Sequence, residues 1–177
     1  MTEKNVLTGV SFFSDVDPDT LEAIAAKSEI LEFKAEDVIF HVDEPATHFY
    51  GLLEGKIDLV LIFKDKVLKT DVEYEEAIQA TMVDEEKEII VDTVSAGQVF
   101  GWASIVGPSK RTVKAECSEG SRVIAIPADA LIAMFEKDHT LGFTIMKRLS
   151  DIIASRLRHR TDKLIETWGE AFDIGSI

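Results

Sequence analysis

The stretch Gly97-Gln-Val-Phe100-Gly101-Trp102-Ala103-Ser104-Ile-Val-Gly107-Pro108-Ser-Lys110-Arg111-Thr112-Val-Lys-Ala115-Glu-Cys117 decides how the rest of the chain is read. Two glycines flank an apolar Val99-Phe100 pair, small residues follow, Gly107-Pro108 marks a turn, and Arg111 opens an alternating segment. Such an arrangement suits an anion. Glycine lets backbone approach a ligand closely, small residues at the start of a helical turn leave N–H groups pointing outward, and a guanidinium forks onto phosphate or carboxylate oxygens.

Outward from this stretch towards the N-terminus the sequence alternates. Ile30, Glu32 and Lys34 face one way and Leu31, Phe33 and Ala35 the other, and Val38-Ile39-Phe40 continues the strand pattern. The turn Val42-Asp43-Glu44-Pro45-Ala46-Thr47 precedes a strand from His48 to Leu53, and Glu54-Gly55-Lys56 makes a tight hairpin into Ile57 to Ile62. Ahead of these strands, Ser14 to Asp19 reads as a turn and helix start, with Leu21, Ile24 and Ala25 at helical spacing to about Ser28. Residues 64–90 carry the acidic runs Asp71 to Glu76 and Asp84 to Glu88. A solvated acidic loop is the simplest reading of such runs; an extended hairpin, a mobile insertion or a partner-docking loop also fits. Strands resume over Glu88 to Val94.

On the C-terminal side, Arg122 to Ile126 forms a last strand before Pro127, where the period becomes helical. One helix covers Ala128 to Phe135, Lys137-Asp138-His139 breaks it, and a longer one runs from Leu141 to about Leu164. Met146, Leu149, Ile153, Leu157 and Leu164 make a stripe on that helix that needs an apolar partner, while Arg156, Arg158, His159 and Arg160 crowd its middle and place its outer half at the surface.

A length of 177 residues with 46% hydrophobic content fits one domain with its own core. We divide it into an N-terminal helix and β-roll over 12–126, C-terminal helices over 127–168, and a tail over 169–177. Lys+Arg number 19 against 33 Asp+Glu, a net charge of −14, which repels a nucleic acid backbone. No apolar run reaches the roughly 18 residues of a membrane span. The N-terminus lacks a signal-peptide core and the single Cys117 can form no internal disulfide, so the cytoplasm is expected. Cys117 lies on an apolar alternation and reads as a small core residue. His41, His48, His139 and His159 lack metal-ligand spacing, and no nucleophile–base order or Walker-type loop is present, so neither a metal nor an enzyme activity is expected.

The central stretch resembles the phosphate-binding cassette of cyclic nucleotide-binding domains, the Crp/Fnr-type sensory domains of the catabolite activator and its relatives. Phe100-Gly101 and Arg111 match the cassette with its usual spacing, Ala115 and Cys117 occupy small-residue positions, and Phe49-Tyr50 with Gly55 resembles the family's hairpin. The resemblance covers about Phe12 to Leu164. It implies a jelly-roll of about eight antiparallel strands, a double-stranded β-helix with flanking helices in an α+β arrangement, ending in a long C-terminal helix. It also implies a ligand site of Phe100, Gly101, Trp102, Ala103, Ser104, Arg111 and Thr112. Three departures from the family pattern stand out. Trp102 replaces the glutamate that takes the ribose hydroxyl, and Ser104 replaces a small alanine. An indole donates only and is far bulkier. Asp43-Glu44 stands where relatives begin the turn with glycine, and aspartate tolerates a positive φ better than most residues.

The expected function is a stand-alone regulatory module that binds a small anion, of which cyclic AMP or cyclic GMP is the family's example and is expected to bind weakly here because of Trp102. A homodimer through helix 141–164 and a protein partner are expected. The relatives' DNA-reading helices are not, since only Ile165 to Ile177 follow Leu164. The alternative is a degenerate domain that keeps the fold as a dimerisation or scaffolding unit without ligand. Trp102 is expected to fill the pocket or pack on the barrel, and Ser104 either to donate to an anion or to bond within its own turn.

Overall fold

A computed structural model gives the architecture. It describes the backbone of residues 6–74, 77–107 and 109–172, and the side chains of these residues apart from 66–84 and 169–172. Among the described residues, eight antiparallel strands form two four-stranded sheets. One has the order β1 (Glu29–Phe33), β8 (Ser121–Pro127), β3 (His48–Glu54), β6 (Val99–Phe100). The other has the order β2 (Val38–Phe40), β7 (Lys114–Cys117), β4 (Lys56–Tyr74), β5 (Ala77–Ser95). Helix α1 (Pro18–Ala25) precedes them, and α2 (Ala128–Lys137) and α3 (His139–Phe172) follow.

The first sheet is buried on both faces. Alternate residues of β8 and β3 serve two cores: Val123, Ala125, Tyr50 and Leu52 face the second sheet, while Ile124, Ile126 and Phe49 face the helices. That double burial explains why Val123 to Ile126 reads as an unbroken apolar run. On the helical side Leu131 of α2 and Ile145 and Leu149 of α3 close the core with Phe12 and Phe13. Inside the second sheet, Ile57, Leu59, Ala115 and Cys117 point inward, so Cys117 is the core residue its alternation predicts, a buried free thiol.

Local signals act where expected. The Asp17 carboxylate caps α1 by accepting from Thr20 N–H at 2.9 Å, with Pro18 in the first turn. Asp43 adopts φ 66°, so the turn before β3 keeps its left-handed residue without a glycine. It is held against the cassette loop, where Asp43 N–H donates to Arg111 O and Arg111 N–H donates to Glu44 O, each at 2.9 Å.

The acidic segment is not a loop. β4 and β5 pair from Lys56↔Ser95 to Tyr74↔Ala77, with register shifts between Leu59 and Val60 and between Val72 and Tyr74, whereas β7 covers Ile57 to Val60 of β4. From Leu61 outward the hairpin is therefore a two-stranded ribbon, about 45 Å long at the usual rise per residue. Cross-strand pairs offset part of its charge: Lys64 lies 3.9 Å from Glu86 and Lys87 lies 2.5 Å from Asp65.

The long helix divides the predicted stripe in two. Leu149 is buried and Met146 and Ile153 pack on the β-roll, while Leu157 and Leu164 are exposed. The arginines need correcting: Arg158 is exposed, but Arg156 and Arg160 are half-buried and turn towards the barrel rather than the outer rim.

Candidate ligand-binding site

Gly101 ends β6 in the left-handed conformation, φ 77°, and redirects the chain into a single 3-10 turn, Trp102–Ser104. A side chain could not be added there cheaply. A Cβ on Gly101 would lie 2.9 Å from Arg111 Nη1 and 2.9 Å from Tyr50 Cδ2. That closeness exists because the Gly101 carbonyl is a hub: it accepts from Arg111 Nη1 at 2.8 Å and from the Ser104 hydroxyl at 3.0 Å. The Ser104 hydroxyl thus makes a bond within its own turn.

Arg111 is almost wholly enclosed, at 3% exposure. Its Nη2 donates to His48 O at 2.7 Å, and the guanidinium lies 4.2 Å from the Phe40 ring centroid and 5.5 Å from that of Tyr50. Burial pushes its pKa down, opposed by Tyr50 and Glu44. The same burial pushes the Tyr50 hydroxyl up. No carboxylate forms an ion pair with Arg111 among the described residues, and its Nε makes no hydrogen bond. A guanidinium keeps its charge regardless, so the β-roll holds a buried cation positioned by backbone carbonyls and aromatic faces.

Above Arg111 is a cleft of about 120 Å³ lined by Phe40, Gly101, Trp102, Thr112 and Arg160, among others. It is narrower than the roughly 300–1,000 Å³ typical of pockets for drug-sized ligands. Five of the seven cassette residues named from the sequence line this cleft. Phe100 lies in the core beneath, stacked on Tyr50 at 5.1 Å, while Gly101, Trp102, Ala103, Arg111 and Thr112 line the cleft.

Trp102 does more than fill space. Its ring lies 4.7 Å beneath the Arg156 guanidinium of α3. Arg156 in turn donates to Val99 O at 3.0 Å and sits 3.2 Å from Asp92 Oδ2 on β5, both side chains largely buried. Burial lowers the Arg156 pKa, Asp92 raises it and Arg160 lowers it, which places Arg160 within electrostatic reach. Sequence reasoning missed Arg156 and Arg160 as parts of the site. The signal was present: Leu141, Ile145, Leu149, Ile152, Arg156 and Arg160 recur at helical spacing, and this barrel-facing row turns from apolar to cationic where it passes the cassette.

Comparison with known proteins finds similarity in sequence profile and in fold. Residues 77–138 match the family profile described as the cyclic nucleotide-binding domain. A crystal structure of a candidate cyclic nucleotide-binding protein from Geobacter metallireducens GS-15 is 25% identical, covers 89% of this chain and 99% of that one, and superposes with a TM-score of 0.66. A cyclic nucleotide-binding domain from Methylobacillus flagellatus KT gives a TM-score of 0.66 at 15% identity, with coverages of 93% and 81%. The sensor domain of the transcriptional regulator DNR from Pseudomonas aeruginosa gives 0.59 at 16%, with coverages of 88% and 91%. No curated protein matches the sequence.

Proposed function

We propose, since the chain is a domain of the cyclic nucleotide-binding, Crp/Fnr type, that it is a non-catalytic regulatory module whose cassette holds a small anion and whose α3 conveys occupancy to a protein partner. The observation that carries this reading is Arg111, a buried guanidinium with no carboxylate partner among the described residues, at the base of a cleft that α3 borders. A buried charge without a counter-ion is costly, and a ligand oxyanion would relieve that cost through the N–H groups that Gly101 and His48 leave free. Cyclic AMP and cyclic GMP are the family's example ligands. They bind weakly here because Trp102 offers the ribose no acceptor and its ring is engaged with Arg156.

Thermal shift with simple anions tests the site. Arg111→Ala is expected to abolish the shift, whereas Lys110→Ala, an exposed neighbour, leaves most of it. Equal losses from both would reduce the effect to diffuse attraction and sink the reading.

A second reading, a ligand-free dimerisation or scaffolding unit, is favoured by a different observation. Leu157, Leu164 and Trp168 lie exposed at 64%, 51% and 60% along one side of α3, an unfilled seam of the kind a second copy would cover. The two readings are compatible, and the homodimer belongs to both. Among the described residues no helix is long and apolar enough to cross a membrane, and a buried free Cys117 fits the cytoplasm.

A further inference from the structure

The cleft is more cationic than one phosphate-binding arginine would make it. Arg160, from α3, lines it together with Arg111 from the cassette loop. Neither arginine has an ion pair among the described residues, and the Nε of each is enclosed without a hydrogen-bond partner. Asp92, the nearby acid on β5, is engaged by Arg156. No aspartate or glutamate among the described residues lines the cleft, on a chain whose net charge is −14. Two guanidiniums without an ion-pair partner among the described residues around about 120 Å³ are a poor match for a nucleoside cyclic phosphodiester, which carries a single negative charge and brings a ribose that Trp102 cannot accept a hydrogen bond from.

We propose that the ligand is a phosphomonoester dianion, with Arg160 as its second clamp. The inference rests on the anion-binding reading above and refines it to a chemical class and a residue. A phosphomonoester carries about −1.5 to −2 at pH 7 and presents three terminal acceptor oxygens, enough for one fork from each arginine. The compact headgroup occupies the cleft and whatever it is esterified to remains towards solvent. Because one clamp belongs to the β-roll and the other to α3, the headgroup joins the two across the cleft.

The test is calorimetry at fixed ionic strength with a matched pair of probes, adenosine 5′-monophosphate and cyclic AMP, alongside inorganic phosphate. The pair shares base and sugar and differs in phosphate charge. The open monophosphate is expected to bind at least about tenfold tighter than the cyclic one. Arg160→Gln should weaken the monophosphate and phosphate by roughly ten- to a hundredfold, Arg160→Lys should recover part of that loss, and Arg158→Gln, an exposed neighbour on the same helix, should change neither. Cyclic AMP binding as tightly as the monophosphate overturns the proposal. So does a monophosphate affinity that Arg160→Gln leaves intact while Arg111→Ala removes it, an outcome that keeps the anion site and discards only the second clamp. Wild-type protein that takes up none of the three probes overturns the anion-binding reading as well.

Discussion

Gly101→Ala is the sharpest probe of the site, because the structure separates its two costs. The first is backbone strain: at φ 77° an alanine pays about 1–2 kcal/mol for the left-handed conformation. The second is steric, since the new Cβ meets Arg111 Nη1 and Tyr50 Cδ2 at 2.9 Å. Arg111 is too enclosed to swing aside freely, and moving it disrupts the charge-assisted bond to Gly101 O, a loss of about 1.5–3 kcal/mol. Neighbouring terms overlap, and a net loss of about 3 kcal/mol is expected, which lowers Tm by roughly 6–12 °C for a chain of this size. Gly107→Ala supplies the control. Gly107 also has a positive φ, 104°, but a Cβ there meets nothing within 4 Å, so it carries strain alone. Calorimetric melting of both variants at one protein concentration should show Gly101→Ala less stable than Gly107→Ala by about 1.5 kcal/mol or more. Equal losses would mean that Arg111 is not held against the Gly101 carbonyl, and the account of the site would fall with it.

Three further outcomes are expected. Asp92→Ala strips Arg156 of its ion pair and should cost about 1–3 kcal/mol, with faster hydrogen exchange in α3 around Arg156; unchanged exchange would show that the pair does not hold the helix. Cys117 should resist thiol reagents at neutral pH until the protein unfolds, because it is buried and burial pushes its pKa up. Since the folded state holds that proton more tightly, the thiol's contribution to stability is complete below the ordinary thiol range and declines as pH rises above it; a rapid labelling burst on native protein would contradict the burial. Light scattering should give a mass near twice 19.7 kDa, falling to the monomer with Leu157→Glu; a monomeric wild type at tens of micromolar would remove the dimer.

The strands were legible where one rule governed them. Alternation reads directly over Ile30 to Phe33, and the apolar run Val123 to Ile126 follows from a sheet buried on both faces. Asp43 could be foreseen in the left-handed region because its short polar side chain tolerates it. The long hairpin could not be read in the same way. Glutamate, aspartate and lysine are poor strand formers, and what offsets them, Lys64 with Glu86 and Asp65 with Lys87, spans residues that become neighbours only once the register is known. The same applies to Arg156 and Arg160. A helix sequence shows which residues share a face, but which face meets the barrel depends on packing elsewhere, and the exposed row through Leu157 and Leu164 was the more conspicuous of the two.

The arginine row bears on how firmly α3 is held to the β-roll. A ligand shifts a helix only as far as it binds one helix position better than another. Here α3 is tied to the β-roll by contacts within the protein: Arg156 reaches Val99 O, Asp92 and the Trp102 ring, and one turn on, Arg160 lines the cleft with no partner among the described residues. Occupancy of the cleft would therefore add to an existing attachment rather than create one. The departure at Trp102 then has a consequence beyond the ribose, since the ring placed where a carboxylate is expected gives Arg156 a surface to rest on. A carboxylate at that position would have competed with Asp92 for Arg156; an indole reinforces the Asp92 contact. A ligand that shifted α3 would have to outweigh these Arg156 contacts.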